Sequence, residues 1–436
     1  MKKASFLVLL IAGVLLLGSG HAASIRPAVL GGAYDELLPD AVKGKTFVPS
    51  IKVRWEYDDN IYTTTKAEKA QLGISEESTW KIYIEPKIDI HLLSATSYLG
   101  LSYQFSYIWY DDRADDDDEM AHDVSVDFRH HFSPTVEVIL RDLFRSSEEP
   151  EIAEDVVTAL GIRTIPYQRS GDYDHNRATV GLNVQTGRRL LWNVSYTNLW
   201  VDFDEPETVI GPTGALRRGA SYFFDRMAHS GAVKAQYLAT PQSKVNVGAR
   251  LTDTDYDADA LLKDSQSWIG FVGVDQNLTK RCVGSVVVGW ENRDYDDINI
   301  DSDSPFVDVS LASGLGKKGN GRIGYRFALD ETEQASYAVQ EAHTIYGGLN
   351  AWLATWTSLH INTSYEMGSF DSADVVAARA IGDRDQDVWL LGIVLRQHVH
   401  RDIYLEAGYR RTEVESDFAG SNYERNRYFL GVGGIF

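Results

Sequence analysis

Residues 80–109, WKIYIEPKIDIHLLSATSYLGLSYQFSYIW, contain two long runs in which apolar and polar residues alternate. The apolar positions of the first run are Trp80, Ile82, Ile84, Pro86, Ile88, Ile90 and Leu92, and those of the second are Leu99, Leu101, Tyr103, Phe105, Tyr107 and Trp109. Because successive side chains of a β-strand point to opposite faces, this period predicts two strands with one apolar and one polar face each. The runs are about twice the usual strand length of roughly five or six residues. A tilted strand of that length crosses a bilayer, so we interpret the stretch as one hairpin of a transmembrane β-barrel.

The N-terminus has the layout of a secretory signal peptide. Residues 1–23 begin with two lysines, continue with an apolar run from Phe6 to Leu17 and end in small residues that suit a cleavage site. We expect residues 24–45 to form a periplasmic N-terminal segment and residues 46–436 to form the barrel. No later apolar run is long enough for a transmembrane helix, so none is predicted.

The composition excludes some classes of partner. The formal net charge of the chain is −21, and removal of Lys2 and Lys3 with the signal peptide makes it −23. Phosphates would be repelled, so no nucleic-acid partner is expected. Cys282 is the single cysteine of the sequence, which excludes an intrachain disulfide. The predicted location is the outer membrane of a Gram-negative bacterium, with its lipids and lipopolysaccharide as surroundings.

The same alternation recurs from residue 46 to the end of the chain. Short turns, such as those at 133–134 and 187–188, alternate with longer polar connections, such as 146–172 and 202–221. This asymmetry is typical of outer-membrane barrels, whose periplasmic turns are short and whose external loops are long. The count is about 18 strands, an even number as expected for an up-and-down antiparallel barrel. Sixteen strands stay open as an alternative, because residues 305–321 are weakly patterned.

The last strand carries a second signature. Alternate positions up to the last residue are Tyr428, Leu430, Val432, Gly434 and Phe436. This pattern resembles the C-terminal strand that the barrel-assembly machinery recognises in bacterial outer-membrane proteins. Pairing of this strand with the first one would close the barrel and leave no unpaired edge in the lipid.

A short motif follows the first strand. Residues 54–62 read RWEYDDNIY, and they resemble the Tyr-Asp-Asp-Asn opening of the putative β-barrel porin 2 family. The resemblance implies an outer-membrane channel or an accessory of exopolysaccharide secretion, with polysaccharide export components as partners. It implies neither catalytic residues nor a cofactor.

The polar face of the strands is predicted to line the lumen, because charges are costly on a lipid-facing surface. The predicted lumen-facing residues are Arg54, Glu56, Lys81, Tyr83, Glu85, Lys87, Asp89, Asp127, Arg129, Arg177, Arg250, Arg322, Arg326, Arg396, Tyr404, Glu406, Arg410 and Arg427, together with Asp123, Glu137, Arg141, Glu291 and Glu366. A barrel of this size is wide enough for an aqueous channel whose selectivity these charges would set. The alternative is that the charges pair across neighbouring strands and fill the interior.

Two further features suggest ligands. The acidic run Asp115, Asp116, Asp117 and Asp118 has the oxygen ligands that Ca²⁺ prefers but lacks EF-hand spacing, so a solvated loop, or ions bridging to lipopolysaccharide phosphates, is the alternative. Most aromatic residues are expected on the lipid face. Tyr83 and Tyr404 are the inward-facing exceptions, and they are candidates for saccharide contacts.

Other function classes find less support. The sequence contains no G-x-S-x-G and no H-E-x-x-H motif, and no local arrangement selects a nucleophile and a base, so we expect no enzyme, no cofactor and no metal site. A plugged transporter needs a larger N-terminal domain than residues 24–45. A non-conducting scaffold, or adhesion through the loops 146–172 and 202–221, stays open beside the passage of hydrophilic solutes.

Overall fold

The computed structural model describes twelve segments of the chain. These are residues 46–61, 78–111, 118–147, 173–203, 209–210, 216–217, 225–257, 263–296, 301–331, 339–370, 384–417 and 422–436. The predicted signal peptide and the segment 24–45 lie outside the described residues.

The described chain consists almost entirely of β-strands. They are β1 (Phe47–Asp58), β2 (Thr79–Leu93), β3 (Ser97–Tyr110), β4 (Asp118–Ser133), β5 (Val136–Ser147), β6 (Tyr173–Thr186), β7 (Leu190–Phe203), β8 (Val209–Ile210), β9 (Leu216–Arg217), β10 (Arg226–Thr240), β11 (Ser243–Tyr256), β12 (Ser265–Asn277), β13 (Cys282–Tyr295), β14 (Asp301–Gly314), β15 (Gly319–Glu331), β16 (Val339–Ala354), β17 (Thr357–Phe370), β18 (Arg384–His398), β19 (Ile403–Ser416) and β20 (Tyr423–Ile435). A single 3₁₀ turn, Gly316–Lys318, separates β14 from β15. None of the described segments contains a helix with the length and apolar character that a membrane span requires.

Eighteen of the strands form one closed antiparallel sheet. Each strand pairs with its neighbours in the chain, β7 pairs with β10, and β1 pairs with β20 in a register that runs from Ser50↔Ile435 to Asp58↔Arg427. The two-residue strands β8 and β9 pair with each other outside this sheet. The prediction of an 18-stranded antiparallel barrel is therefore confirmed. The alternative of 16 strands is wrong, because the weakly patterned stretch forms most of β14 and the start of β15.

The two ends of the barrel differ in the length of their connections. At one end, here called the turn end, connections such as the one from β4 to β5 have two to four residues. At the other, here called the loop end, they have five to 25 residues. Acidic residues begin two of the strands at the loop end: Asp118 is the first residue of β4, and Asp301 is the first residue of β14, where it pairs with Asp294. Polar residues extend the ladder there beyond the apolar part of each strand.

The outer face of the barrel is apolar and exposed. Trp55 is 47% exposed and Leu430 is 65% exposed, and both alternate along their strands with buried charged or small residues. A continuous belt of exposed apolar side chains on a closed barrel is the surface that lipid covers.

The inner face is identified by contacts that skip a strand. Tyr346 of β16 donates a hydrogen bond of 3.3 Å to Asp308 of β14, although β15 lies between them. Lys52 of β1 similarly lies 3.9 Å from Glu406 of β19 across β20. Strands two apart are separated by about 10 Å, so such side chains meet only where they converge on the concave side of the wall.

Candidate functional site

The candidate site is the inner face of the barrel. All of the residues predicted to face the lumen stand at positions that alternate with the exposed apolar belt. That they line a water-filled passage stays a prediction, but their surroundings differ greatly between the two ends of the barrel.

Two lysines on one strand show this difference. Lys81 and Lys87 both lie on the inner face of β2. The side chain of Lys81, near the loop end, is 0% exposed, whereas that of Lys87, nearer the turn end, is 37% exposed. On this strand the inner face is therefore buried near the loop end (the loop half) and more open near the turn end (the turn half).

A buried ion cluster holds the loop half at the seam between β1 and β20. The carboxylate of Asp58 lies 2.9 Å from Nζ of Lys81 on β2 and accepts hydrogen bonds from Nε of Arg425 on β20 at 3.0 and 3.1 Å. All three side chains are almost completely buried. Asp58 thus connects the first strand to both of its neighbours.

The motif Asp58-Asp59-Asn60 continues this connection. Asp59 accepts hydrogen bonds from the backbone N–H and the side-chain amide of Asn426, at 2.6 and 2.8 Å. The amide of Asn60 donates to the backbone oxygen of Glu424 at 3.0 Å. The motif, which carries the family resemblance in the sequence, thus also has a structural role that was not predicted: three consecutive side chains bind β20. We refer to these three residues as the seam motif.

A second group of contacts lies next to the seam motif, on the side of the turn end. The hydroxyl of Tyr83 donates a hydrogen bond of 3.2 Å to Glu56, which is fully buried. The guanidinium carbon of Arg54 lies 3.9 Å from the centre of the Tyr83 ring and 5.3 Å from that of Phe429. This geometry suits cation–π contacts, so these inward charges are packed rather than solvated.

Midway between the two ends of the barrel, charged side chains form a series of ion pairs across the seam between β1 and β20. Lys52 lies 2.8 Å from Glu85 and 3.9 Å from Glu406, and Arg396 lies 3.2 Å from the other oxygen of Glu406. The Arg396 guanidinium also stacks over Tyr404 at 4.4 Å. The ring of Tyr404 is thus occupied by a protein cation at the place where a saccharide contact was predicted.

In the turn half the ion pairs are solvated. Lys87 lies 3.0 Å from Asp89, and Asp127 lies 2.9 Å from Arg129 and 3.7 Å from Arg141. These five side chains are 21 to 37% exposed. Charges that are paired yet accessible are what a wetted wall presents to a passing solute.

The interior is not uniformly polar. Two inward-facing apolar clusters lie in it, one made of Tyr173, Leu199, Val201, Phe203 and Ala228, and the other of Ile269, Phe271, Val287, Phe306 and Ala328. In the second cluster the ring of Phe271 lies over Gly248, where a methyl group would come within 2.4 Å of the ring. These clusters were not predicted from the sequence, because inward positions were expected to be hydrophilic.

More aromatic residues face inward than predicted. Besides Tyr83 and Tyr404, the inner face carries Tyr110, which donates a hydrogen bond of 2.7 Å to Glu119, and Tyr346, which donates to Asp308. The expectation that two tyrosines are the exceptions was therefore wrong. Partners one or two strands away satisfy the hydroxyls of Tyr83, Tyr110 and Tyr346, so that these rings can occupy inward positions.

Several inward charges were also missed, and three of them lie close together. Lys234 of β10, Lys244 of β11 and Asp275 of β12 stand at inward positions on the wall opposite the seam. The alternation with Val233, Val245 and Val274, all of which are exposed, could have identified them.

The outer face of the described strands carries mainly negative charges, in contrast to the inner face. Of the Lys and Arg residues in the described barrel strands, Arg411 alone stands at an outward position, whereas outward carboxylates such as Asp294, Asp387 and Glu424 are frequent near the loop end. On the described strands the inner face carries more Lys and Arg than Asp and Glu. These strands of an acidic chain thus present an excess of positive charge to the interior.

The remaining predicted sites lie near the chain ends and loops. Asp115, Asp116 and Asp117 lie outside the described residues, and Asp118 is the first residue of β4. Within the described segments no group of three or more His, Cys, Asp or Glu side chains could hold a metal ion. The predicted assembly signal stands on the outer face of β20, where Tyr428, Leu430, Val432 and Phe436 are 36 to 65% exposed.

Comparison with known proteins adds the following findings. A sequence model of the family described as "Putative beta-barrel porin 2" matches residues 44–434. No curated protein matches the chain. Solved structures to which it is similar include a BenF-like porin from Pseudomonas fluorescens Pf-5 (12% identity, TM-score 0.48, covering 89% of this chain and 98% of that chain) and OccAB4 from Acinetobacter baumannii (9% identity, TM-score 0.45, covering 90% and 99%). The outer membrane protein opdK from Pseudomonas aeruginosa is 11% identical, with a TM-score of 0.44 over 89% of this chain and 99% of that chain.

Proposed function

Because this chain belongs to the putative beta-barrel porin 2 family, we propose that it is an outer-membrane channel through which small hydrophilic solutes diffuse. The observation that supports this proposal most directly is the turn half of the inner face. Its ion pairs are 21 to 37% exposed, although they lie on the inside of a closed wall. An interior filled by paired side chains would bury them.

The excess of inward Lys and Arg residues indicates which ions the channel would prefer. A lumen with more ammonium and guanidinium groups than carboxylates concentrates anions, as rings of like charge do in other pores. We therefore propose that the channel prefers anions, despite the net charge of −21 of the whole chain.

The test is a conductance measurement on the refolded protein in a planar lipid bilayer under a KCl gradient. We expect stable open channels whose reversal potential shows a preference for chloride. Lys87→Gln should shift this reversal potential toward the value of a cation-selective channel, because it removes a solvated positive charge from the turn half. Arg411→Gln, which removes one positive charge from the outer face, should leave it unchanged.

Insertion of folded protein into the bilayer without any current would contradict the proposal. If a folded band with heat-modifiable mobility gives no current, the lumen is blocked, and the scaffold or adhesion role takes the place of the channel. Equal shifts with both variants would refute the assignment of the turn half to the ion path.

Four other expectations stay predictions. An accessory role in exopolysaccharide secretion comes from the family resemblance, and neighbouring genes for polysaccharide export would test it. The exposed outer positions of β20 support the proposal that the barrel-assembly machinery recognises this strand. Cleavage of the signal peptide and a non-enzymatic role are part of the same proposal.

A further inference from the structure

The wall opposite the seam carries two lysines in an unusual setting. β10 and β11 are the eighth and ninth strands of the ring counted from β1, and β20 is the eighteenth, so Lys234 and Lys244 lie across the barrel from the seam motif. Both side chains face inward, and both are partly exposed to the lumen. They are separated from the ion pairs that surround Lys52 and Lys87.

Neither lysine has an ion-pair partner within the described residues. Lys52 and Lys87, also inward-facing, each have a carboxylate at 2.8 or 3.0 Å. Lys234 and Lys244 have no carboxylate oxygen within 4.0 Å and no hydrogen bond in the described part of the chain. Their ammonium groups are therefore available to a ligand.

The nearest carboxylate is bound elsewhere. Asp275 stands opposite Lys244 in the β11–β12 register and interacts electrostatically with both lysines. Its two oxygens instead accept hydrogen bonds from Asn246, at 2.9 Å, and from Ser285, at 2.7 Å. Asp275 contributes one negative charge and the two lysines contribute two positive charges. The three side chains together therefore carry a net positive charge.

Two neutral amide side chains, those of Asn193 and Asn246, also lie near the lysines, and each has an acceptor without a partner. Lys234 pairs with Asn193 of β7 on one side and with Gly248 of β11 on the other. Asn246 lies two positions from Gly248 along β11. Asn246 is 5% exposed, and its side-chain oxygen, like that of Asn193, is buried without a hydrogen-bond donor. Buried acceptors of this kind are costly unless a donor reaches them.

We propose that Lys234, Lys244, Asn193 and Asn246 form a binding site on the lumen wall for small hydroxy-carboxylates of the sugar-acid class. The two ammonium groups would bind the carboxylate by charge-assisted hydrogen bonds. Hydroxyl groups of the same molecule would donate to the two amide oxygens after a small rotation of the amides. This proposal rests on the proposed function, because it makes the site a step on the path of the solute.

Calorimetric titration of the refolded full-length protein in detergent with D-glucuronate tests the site without requiring a current. We expect saturable binding of glucuronate, weaker binding of acetate, which lacks the hydroxyls, and weaker binding of D-glucose, which lacks the charge. The double variant Lys234→Gln/Lys244→Gln should bind glucuronate about tenfold more weakly, because it loses two charge-assisted hydrogen bonds.

A matched control removes two lysines elsewhere. Lys280 and Lys318 lie on turn-end connections, so Lys280→Gln/Lys318→Gln changes the net charge equally but should leave the affinity within about twofold, as surface charges are screened by salt. Heat-modifiable mobility of both double variants shows that they fold. Equal binding by wild type and Lys234→Gln/Lys244→Gln would overturn the proposal, as would equal affinity for acetate and glucuronate.

The two proposals can fail separately. Conductance without glucuronate binding would refute the site and leave the channel. Binding that depends on Lys234 and Lys244 in a protein without conductance would support the site and refute the channel.

Discussion

Lys81 and Lys87 have the same side chain, lie on the same face of the same strand and are about 20 Å apart along it. Lys81 is fully buried against Asp58, whereas Lys87 pairs with Asp89 in partial contact with solvent. A buried ion pair becomes costly when one partner is removed, because the remaining charge stays in a poor solvent. A solvated pair loses little, since water and salt ions replace the partner. The comparison indicates that buried pairs of the loop half hold the barrel together, and it is consistent with the proposal that the more exposed pairs of the turn half line the path of the solute.

The seam explains why the loop half needs such pairs. β1 and β20 are the last strands that can meet when the barrel closes, because they are at opposite ends of the barrel sequence. The seam motif joins them by side-chain contacts from Asp58, Asp59 and Asn60, in addition to the backbone ladder. A closed seam leaves no free strand edge in the lipid, so contacts that favour this single pairing also oppose mispairing.

The largest effect is expected for Asp58→Asn. The substitution keeps the shape of the side chain but leaves Lys81 and Arg425 buried without this carboxylate. We expect the free energy of unfolding to fall by about 3–5 kcal/mol, the usual result of breaking a buried pair. Urea titration in detergent micelles, followed by heat-modifiable mobility on a gel, measures the change.

Asp89→Asn is the matched control in the turn half. It removes the carboxylate partner of Lys87 from the same face of β2, and we expect it to lower the free energy of unfolding by less than about 1 kcal/mol. If the two variants were equally destabilised, the division into a structural loop half and a solvated turn half would be wrong.

Period-two alternation, together with the alternation of short turns and long loops, was sufficient to predict the fold. The period identified the membrane-facing belt and the inward position of residues such as Arg54 and Arg250, because each of these follows from the direction of single side chains along a strand. The turns and loops gave the even strand number. It could not predict which inward charges are buried. That property depends on contacts such as Lys52 with Glu406, two strands apart in space and 354 positions apart in the chain. Burial of Phe271 over Gly248 is likewise a property of the assembled wall.

The next test compares solvent access in the two halves directly. Ser106 and Ser102 both face inward on β3, but Ser106 is 5% exposed and Ser102 is more open. In a Cys282→Ser background, we expect Ser102→Cys to react with a charged methanethiosulfonate reagent at least about tenfold faster than Ser106→Cys, since thiol reactivity follows exposure. Mass spectrometry of timed samples gives the two rates. Similar rates would mean that water reaches the loop half as readily as the turn half.

The smallest effect concerns single hydroxyl groups. Tyr83→Phe keeps the ring under Arg54 but removes the hydrogen bond to buried Glu56, so we expect a loss of about 1 kcal/mol in the free energy of unfolding. Tyr98→Phe removes a hydroxyl that lies 3.1 Å from Nδ1 of His91 in the turn half, where water can take its place, and its effect should be less than half as large. The same urea titration measures both. A larger loss for Tyr98→Phe would show that hydrogen bonds in the turn half carry more of the stability than their exposure indicates, and it would reverse the roles assigned to the two halves.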